Sequence, residues 1–296
     1  MNSLLRRLSS DVSRKLKKAP LLRDWYTNRQ FRVERALLKG QSPAVSSRPS
    51  VLHFSMNKAA TQYTKRIMIR CGQENDLVPV RMSDYAWVKE FPYLFTLSAE
   101  DVKQYLHIFR PHGYLYSVFG GLVEGIPNIE AYRTVLMIRD PRDALVSGYH
   151  SYSKSHAVPQ AKDKADEFLA FRERISNQSL DDYVMDVSAN AKWRMQQYLD
   201  LKRSHPGVCV MKYEDMIADF EPWLDAILNY CGWQISAELR DSLVAEAKKS
   251  RSKKDEDVTK HRRQVTPGEH KRKLQSSTVQ YLDECFADIL QGFGYK

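Results

Sequence analysis

Two basic residues stand at the ends of β-prone runs: Lys58 in VLHFSMNKAATQYTKRI and Arg139 in VLMIRDPRDALVSGYHSY, about 80 residues apart. Each segment reads as a β-strand, a turn and a helix. That arrangement aims a cation and the free N–H groups of a helix start at one anion. A ligand with two phosphate-like ends suits two such sites. In the first, the small side chains of Ala59 and Ala60 let the N–H groups of Ala59, Ala60 and Thr61 approach an oxyanion, and Lys58 adds a point charge with rotatable donors. In the second, Val135 to Ile138 form a continuous apolar run of the buried parallel-strand type. Asp140 caps the following helix and Pro141 suits its first turn. Ser147, two turns on, can point its hydroxyl at the anion held by Arg139.

These elements must be positioned by a sheet with helices between its strands. Strands beginning near residues 51, 113, 133 and 207 alternate with helices from Ser98 to about Phe109, from Ser179 to about Lys202, from Phe220 to Tyr230, and from about Ser236. The pattern predicts an α/β protein: three layers, with a central, mainly parallel sheet flanked by helices.

The residues resemble the PAPS-dependent sulfotransferase family, whose members move a sulfuryl group from 3′-phosphoadenosine 5′-phosphosulfate (PAPS) to a hydroxyl or amine and release 3′-phosphoadenosine 5′-phosphate (PAP). The family's first motif, K-x-G-T-x-(W/F/Y), is matched by Lys58-Ala59-Ala60-Thr61-Gln62-Tyr63. The resemblance implies that Lys58 and Thr61 bind the 5′-phosphosulfate and that Tyr63 stacks on the adenine. Its second motif, an Arg at a strand end with a Ser eight positions on, is matched by Arg139 and Ser147 and implies a 3′-phosphate site. A strand ending in Tyr213-Glu214-Asp215 matches a third element, whose Tyr approaches the adenine. Arg263 to His270, with Arg262 beside it, takes the place of a late R-K-G-x-x-G-x-W flap. The four elements keep the family's order over residues 50–296, so the resemblance implies the P-loop-NTPase-like sulfotransferase fold.

Three departures matter. Ala60 replaces a Gly, which fits only if the backbone there keeps negative φ. Gln264 and Val265 replace Lys-Gly in the flap, leaving Arg263 and Arg262 as its phosphate contacts. The general base also differs. The cytosolic branch carries a His near the end of the strand between the phosphate motifs, and here Ser117 takes that position; a serine is no base near neutral pH without activation. Other branches use a carboxylate from the segment after the first helix, for which Asp84 is the candidate and Glu90 the alternative.

Two rival classes share part of this signature. A P-loop kinase needs G-x-x-x-x-G-K-[S/T], with Lys at the end of its loop, and no such motif occurs. A non-catalytic nucleotide- or membrane-binding protein on the same fold would carry the anion sites without turnover. The acceptor is left open among small-molecule, carbohydrate and lipid alcohols.

The 296 residues, 43% hydrophobic, suffice for one large domain at 50–296, preceded by a basic extension and linker at 1–49. Residues 1–39 carry eleven Lys or Arg against three acids, most of the net charge of +10. Leu5, Leu8, Val12 and Leu16 recur among these charges at helical spacing, so the extension reads as a basic amphipathic helix that packs on the domain or lies on an anionic membrane. The basic residues are not interleaved with stacking aromatics, so nucleic acid is not an expected partner. Four scattered cysteines and isolated histidines predict neither disulfides nor a metal site, and a cytoplasmic location, with surface membrane association as an extension of it, is the expectation. The charged stretch Lys248–Arg263 reads as a mobile lead into the flap.

Overall fold

The computed structural model describes residues 20–251 and 267–295. The amphipathic pattern of residues 5–16, the flap arginines Arg262 and Arg263, and most of the charged lead lie outside the described residues. The chain divides into two compact units, 1–43 and 44–296. The described part of the first holds helices α1 (Pro20–Gln30) and α2 (Arg32–Leu38).

The second unit runs β1 (Val51–Ser55), α3 (Thr61–Gln73), β2 (Val78–Val80), α4 (Met82–Val88), α5 (Ala99–Val102), β3 (Tyr114–Phe119), β4 (Arg133–Ile138), α6 (Pro141–His150), α7 (Lys162–Ser176), α8 (Leu180–Ser204) and β5 (Cys209–Lys212). It continues with α9 (Tyr213–Ala218), α10 (Phe220–Cys231), α11 (Ala237–Arg251), α12 (Glu269–Lys273), α13 (Ser276–Cys285) and α14 (Ala287–Phe293). A 3-10 stretch follows α5 over Lys103–Ile108, and a π-helical turn over Ser151–Ser155 extends α6.

The sheet order is β2-β3-β1-β4-β5 and every pairing is parallel. β1 is therefore central, with Val51 opposite both Leu115 and Arg133. Parallel strands buried on both faces read as apolar runs, which is why β4 is legible over Val135–Ile138, whereas β1, although buried throughout, carries His53 and Ser55 and reads from its β-prone Val51, Leu52 and Phe54. Alternate residues serve opposite layers. Val51, Leu115, Val135, Met137 and Met211 join one core with Ile67, Met68 and Cys71 of α3 and with Phe220, Trp223, Leu224 and Ile227 of α10. Phe54 and Tyr116 belong to an aromatic cluster with Phe109 and Phe119.

The helix starts follow local chemistry. Ser98 caps α5 and Ser179 caps α8, each accepting the N–H three residues on, from Asp101 and Asp182. α10 stops at Gly232 in the left-handed conformation (φ 65°), the common C-terminal stop. Both strand-to-helix crossings that matter for chemistry, β1 to α3 and β4 to α6, leave from the carboxyl ends of adjacent central strands. Ligands bind at that edge of open parallel sheets.

Candidate active site

β1 ends at Ser55 and the chain turns through Met56 to Ala60 into α3. Lys58 (φ 70°) and Ala60 (φ 57°) are both left-handed. The expectation of negative φ at Ala60 is thus corrected: the turn needs the glycine-like conformation, and each such residue with a Cβ bears a strain of roughly 1–2 kcal/mol. Strain of this kind is retained where the surroundings enforce it. Here it turns donors outward. The Ala59 N–H bonds back to Met56 O (3.3 Å), and those of Tyr63 and Thr64 go to Ala60 O (2.8 and 3.0 Å). Among the described residues, no acceptor takes the N–H of Ala60, Thr61 or Gln62. The donor set is shifted by one residue from the expected Ala59, Ala60 and Thr61, because Ala59 is used in the turn. The Thr61 hydroxyl braces the loop, donating to Met56 O (3.1 Å) and lying 2.9 Å from Ser55 Oγ. Gln62 is exposed and Tyr63 half-exposed. The Tyr63 ring leans on Phe220 at 6.3 Å between centroids.

The second loop lies beside the first. The Arg139 N–H meets Met56 Sδ at 3.0 Å, and its Nη1 donates to the Lys58 carbonyl at 3.1 Å. The guanidinium lies over the Tyr213 ring at 4.7 Å. Tyr213 is itself only 3% exposed, so its ring face supports Arg139. The side chain of Arg139 is 2% exposed, yet its Nε and Nη2 have no hydrogen-bond partner among the described residues. A buried guanidinium with two unused donors is costly unless an anion meets it. Glu269 Oε2, 3.9 Å from Nη2, is too distant for a hydrogen bond. Ser147 is half-buried on α6, and its hydroxyl bonds to no described residue.

The start of α6 is tied down from three sides. Asp140 accepts from the Arg142 N–H (3.0 Å) and from the Arg142 Nε and Nη2, and its own N–H donates to Glu214 on α9 (2.9 Å). Asp143, fully buried, accepts from the Gly268 N–H (2.6 Å), the His270 N–H (3.0 Å) and His270 Nδ1 (2.6 Å). Burial alone would raise this carboxyl. The bonds from His270 and Gly268, with the Arg139 charge, outweigh it and hold Asp143 down at about 2. The segment after the flap arginines is thereby fastened to the helix that follows Arg139. Neither Asp143 nor His270 stands out in the sequence, because 127 residues separate them.

A cavity of about 460 Å³ opens beside the first loop. Its wall includes Met56, Asn57, Lys58 and Gly120 at the sheet edge, then residues of α6, α7 and α8. Gly148 on α6 keeps this wall close: a Cβ there would stand 3.0 Å from the Tyr183 hydroxyl. Lys58 Nζ approaches the Tyr152 ring at 5.7 Å. No histidine lines the cavity, and its one carboxylate, Asp186, pairs with Arg174 at 2.5 Å. Both side chains are more than a third exposed, which puts the pair at the rim.

Asp84 is not part of this wall. Both of its carboxylate oxygens accept from Lys65 of α3, at 2.8 and 2.9 Å, so it anchors α4 to α3. Ser117 is buried in β3, 2.9 Å from His53 Nδ1 on β1. Burial, helped by the Lys65 charge, pushes His53 down to about 3, so it is neutral near pH 7. Among the described residues no three His, Cys, Asp or Glu side chains gather in a metal-binding group, and no helix is long and apolar enough to cross a membrane.

Sheet order, strand-end loops and a cavity at the same edge define a parallel α/β protein whose two central strand ends hold hydrogen-bond donors that no described residue satisfies. The sequence matches the Sulfotransferase domain family over residues 53–294, and the chain belongs to that family. Among solved structures it is similar to mouse sulfotransferase SULT7A1 complexed with PAP, at 15% identity over 87% of this chain and 88% of that one (TM-score 0.48). It is similar to retinol dehydratase in complex with androsterone and inactive cofactor PAP, at 14% identity over 86% and 83% (TM-score 0.44). A third is sulfotransferase STF9 from Mycobacterium avium, at 12% identity over 91% and 82% (TM-score 0.48). No curated protein matches the sequence.

Proposed function

We propose that the chain transfers the sulfuryl group of PAPS to a hydroxyl or amine of an acceptor seated in the cavity beside Lys58. The observation that carries this reading is the joining of three features through one residue. The Lys58 carbonyl holds Arg139, its ammonium faces the cavity, and its turn presents the N–H groups of Ala60, Thr61 and Gln62. The residues fit a bisphosphate nucleotide on structural grounds, since both strand ends hold donors that no described residue satisfies.

PAPS supplies an activated sulfuryl group and a phosphate handle remote from it. The residues of the chain do the rest. The N–H groups of Ala60, Thr61 and Gln62 bind the 5′-phosphosulfate at the positive end of α3. Arg139, stacked on Tyr213, and the Ser147 hydroxyl bind the 3′-phosphate, while Tyr63, backed by the buried Phe220, offers the adenine an aromatic face. Arg262 and Arg263 add charge from the flap. Lys58 would offset the negative charge on the leaving nucleotide oxygen as the sulfuryl group passes to the acceptor oxygen or nitrogen, whose proton would be released to water. Transfer of this kind rests on positioning and charge stabilisation, as in phosphoryl transfer.

One observation favours a second reading, a nucleotide-binding protein without turnover: the cavity holds no histidine, and its carboxylate is spent on Arg174. Incubation with PAPS carrying radiolabelled sulfur and a panel of hydroxy and amino acceptors separates the two. The enzyme reading expects label on at least one acceptor and its loss in Lys58→Ala. PAP binding with no transfer across the panel would favour the second.

A further inference from the structure

Resting on the sulfotransfer reading above, we infer that the acceptor is itself an anion: a hydroxy compound whose body carries a carboxylate or comparable group that docks on Arg194. The cavity wall supplies the argument. Most of it is apolar or aromatic, with Leu145, Tyr152, Phe171, Met195 and Tyr198 among its residues, so it takes an organic body. At about 460 Å³ it lies in the range that encloses a small organic ligand.

Its charges are unbalanced. Lys58, Arg174 and Arg194 face one acid, Asp186. Arg174 is neutralised by Asp186, and Lys58 belongs to the donor side. Arg194 is left over. Its Nε donates to Asn190 Oδ1, a neutral acceptor one helical turn back, at 3.1 Å. Among the described residues, no carboxylate pairs with it. Arg194 as a residue is half-buried, and an organic anion that meets its guanidinium gains a charge-assisted bond.

The position of Arg194 also suits an acceptor held at both ends. Its charge acts on the phenols of Tyr152 and Tyr198, partly offsetting the upward push that burial gives them. The Tyr152 ring has Lys58 Nζ 5.7 Å from its centroid. Tyr152 thus lies under the influence of both cations. A hydroxyl beside Lys58 and an anion at Arg194 place the two functional ends of one molecule along this ring. A neutral acceptor would leave Arg194 without a counter-charge inside a cavity from which it had displaced water.

The test uses the full chain saturated with PAP and a matched pair of probes, 3-(4-hydroxyphenyl)propionate and its primary amide, titrated by calorimetry. The acid is expected to bind at least about tenfold tighter than the amide. In Arg194→Gln the difference should fall below about twofold, and Arg194→Lys should restore part of it, because a point charge without the planar fork remains. Equal binding of acid and amide would overturn the inference. So would an acid preference that survives in Arg194→Gln, or no binding of the acid at about 10 mM. The PAP titration that precedes each run tests the parent reading separately: absent PAP binding removes the donor site, whereas normal PAP binding with indifferent probes removes only the anionic acceptor.

Discussion

The Arg139 guanidinium donates to the backbone carbonyl of Lys58 at 3.1 Å, so the two cations that the sequence places about 80 residues apart share one hydrogen bond. The bond links the ends of β1 and β4, which are adjacent in the sheet, and fixes the two anion-facing loops relative to each other. On the proposed reading, the spacing of the loops would match the two anionic groups of a single nucleotide. The ammonium of Lys58 lies at the cavity wall, 5.7 Å from the centroid of the Tyr152 ring.

Lys58→Ala removes the ammonium without touching that carbonyl. Turnover should fall at least about a hundredfold, the typical cost of losing a donor that acts on charge developing in the transition state. PAP affinity should change much less. Single-turnover kinetics beside PAP titration check this, and near-normal turnover would exclude Lys58 from the chemistry.

Arg139→Ala should act on the other end, mainly weakening nucleotide binding, since the 3′-phosphate is remote from the reacting sulfur. Glu269 provides the counterpart. Its carboxylate lies 3.9 Å from Arg139 Nη2 and is shared with Lys273 at 3.0 Å. A phosphate arriving at Arg139 meets this like charge, so Glu269→Gln should tighten PAP by a few-fold, on the order of 1 kcal/mol. Weaker PAP binding in that variant would show that Glu269 helps to position Arg139.

Ala60→Gly should stabilise the protein. Gly adopts φ 57° freely, and relief of the Cβ strain exceeds the entropy that Gly adds to the unfolded chain, a net gain on the order of 1 kcal/mol. For a domain of this size that is a rise in Tm of about 2–4 °C. An unchanged or lower Tm by differential scanning calorimetry would show that Ala60 is not strained.

The two strand ends were legible because each joins a β-prone run, continuously apolar from Val135 to Ile138 in β4, to a turn that differs sharply in character: Met56 to Ala60 after β1, and Asp140-Pro141 after β4. The backbone at Ala60 was not, since alanine carries no local sign of positive φ and the tight return to Met137 and Met56 enforces it. β2, only Val78-Pro79-Val80, is too short and proline-broken to read as a strand, and it pairs only with β3. α7 is too highly charged to show a clear apolar stripe, although it supplies Phe171 and Arg174 to the cavity. Arg194 sits in a helix whose existence was plain, but which face of it meets the loop of Lys58 depends on packing across more than a hundred residues.

His53 makes stability depend on pH in a specific window. It titrates near 6.5 when exposed but only at about 3 in the folded chain, because burial, and then Lys65, disfavours the cation. Between these values the unfolded state binds the extra proton. The contribution is therefore complete above pH 6.5 and is lost as pH falls towards 3, at up to about 1.4 kcal/mol per pH unit. His53→Gln, which can keep a bond to Ser117, should flatten this part of the profile in urea titrations between pH 4 and 7. An unaltered slope would assign the acid sensitivity to other groups, such as Asp143, whose contribution is lost only below its ordinary value of 3.8, towards 2.

Calorimetric titration of the full chain with PAP and, separately, with ATP tests the central claim most directly. A nucleotide site that spans both strand ends predicts PAP binding at about micromolar Kd, ATP at least about tenfold weaker, and loss of the PAP preference in Arg139→Ala. Equal affinity for PAP and ATP, or a preference unaffected by Arg139→Ala, would contradict the assignment of Arg139 and the β4 loop to a 3′-phosphate.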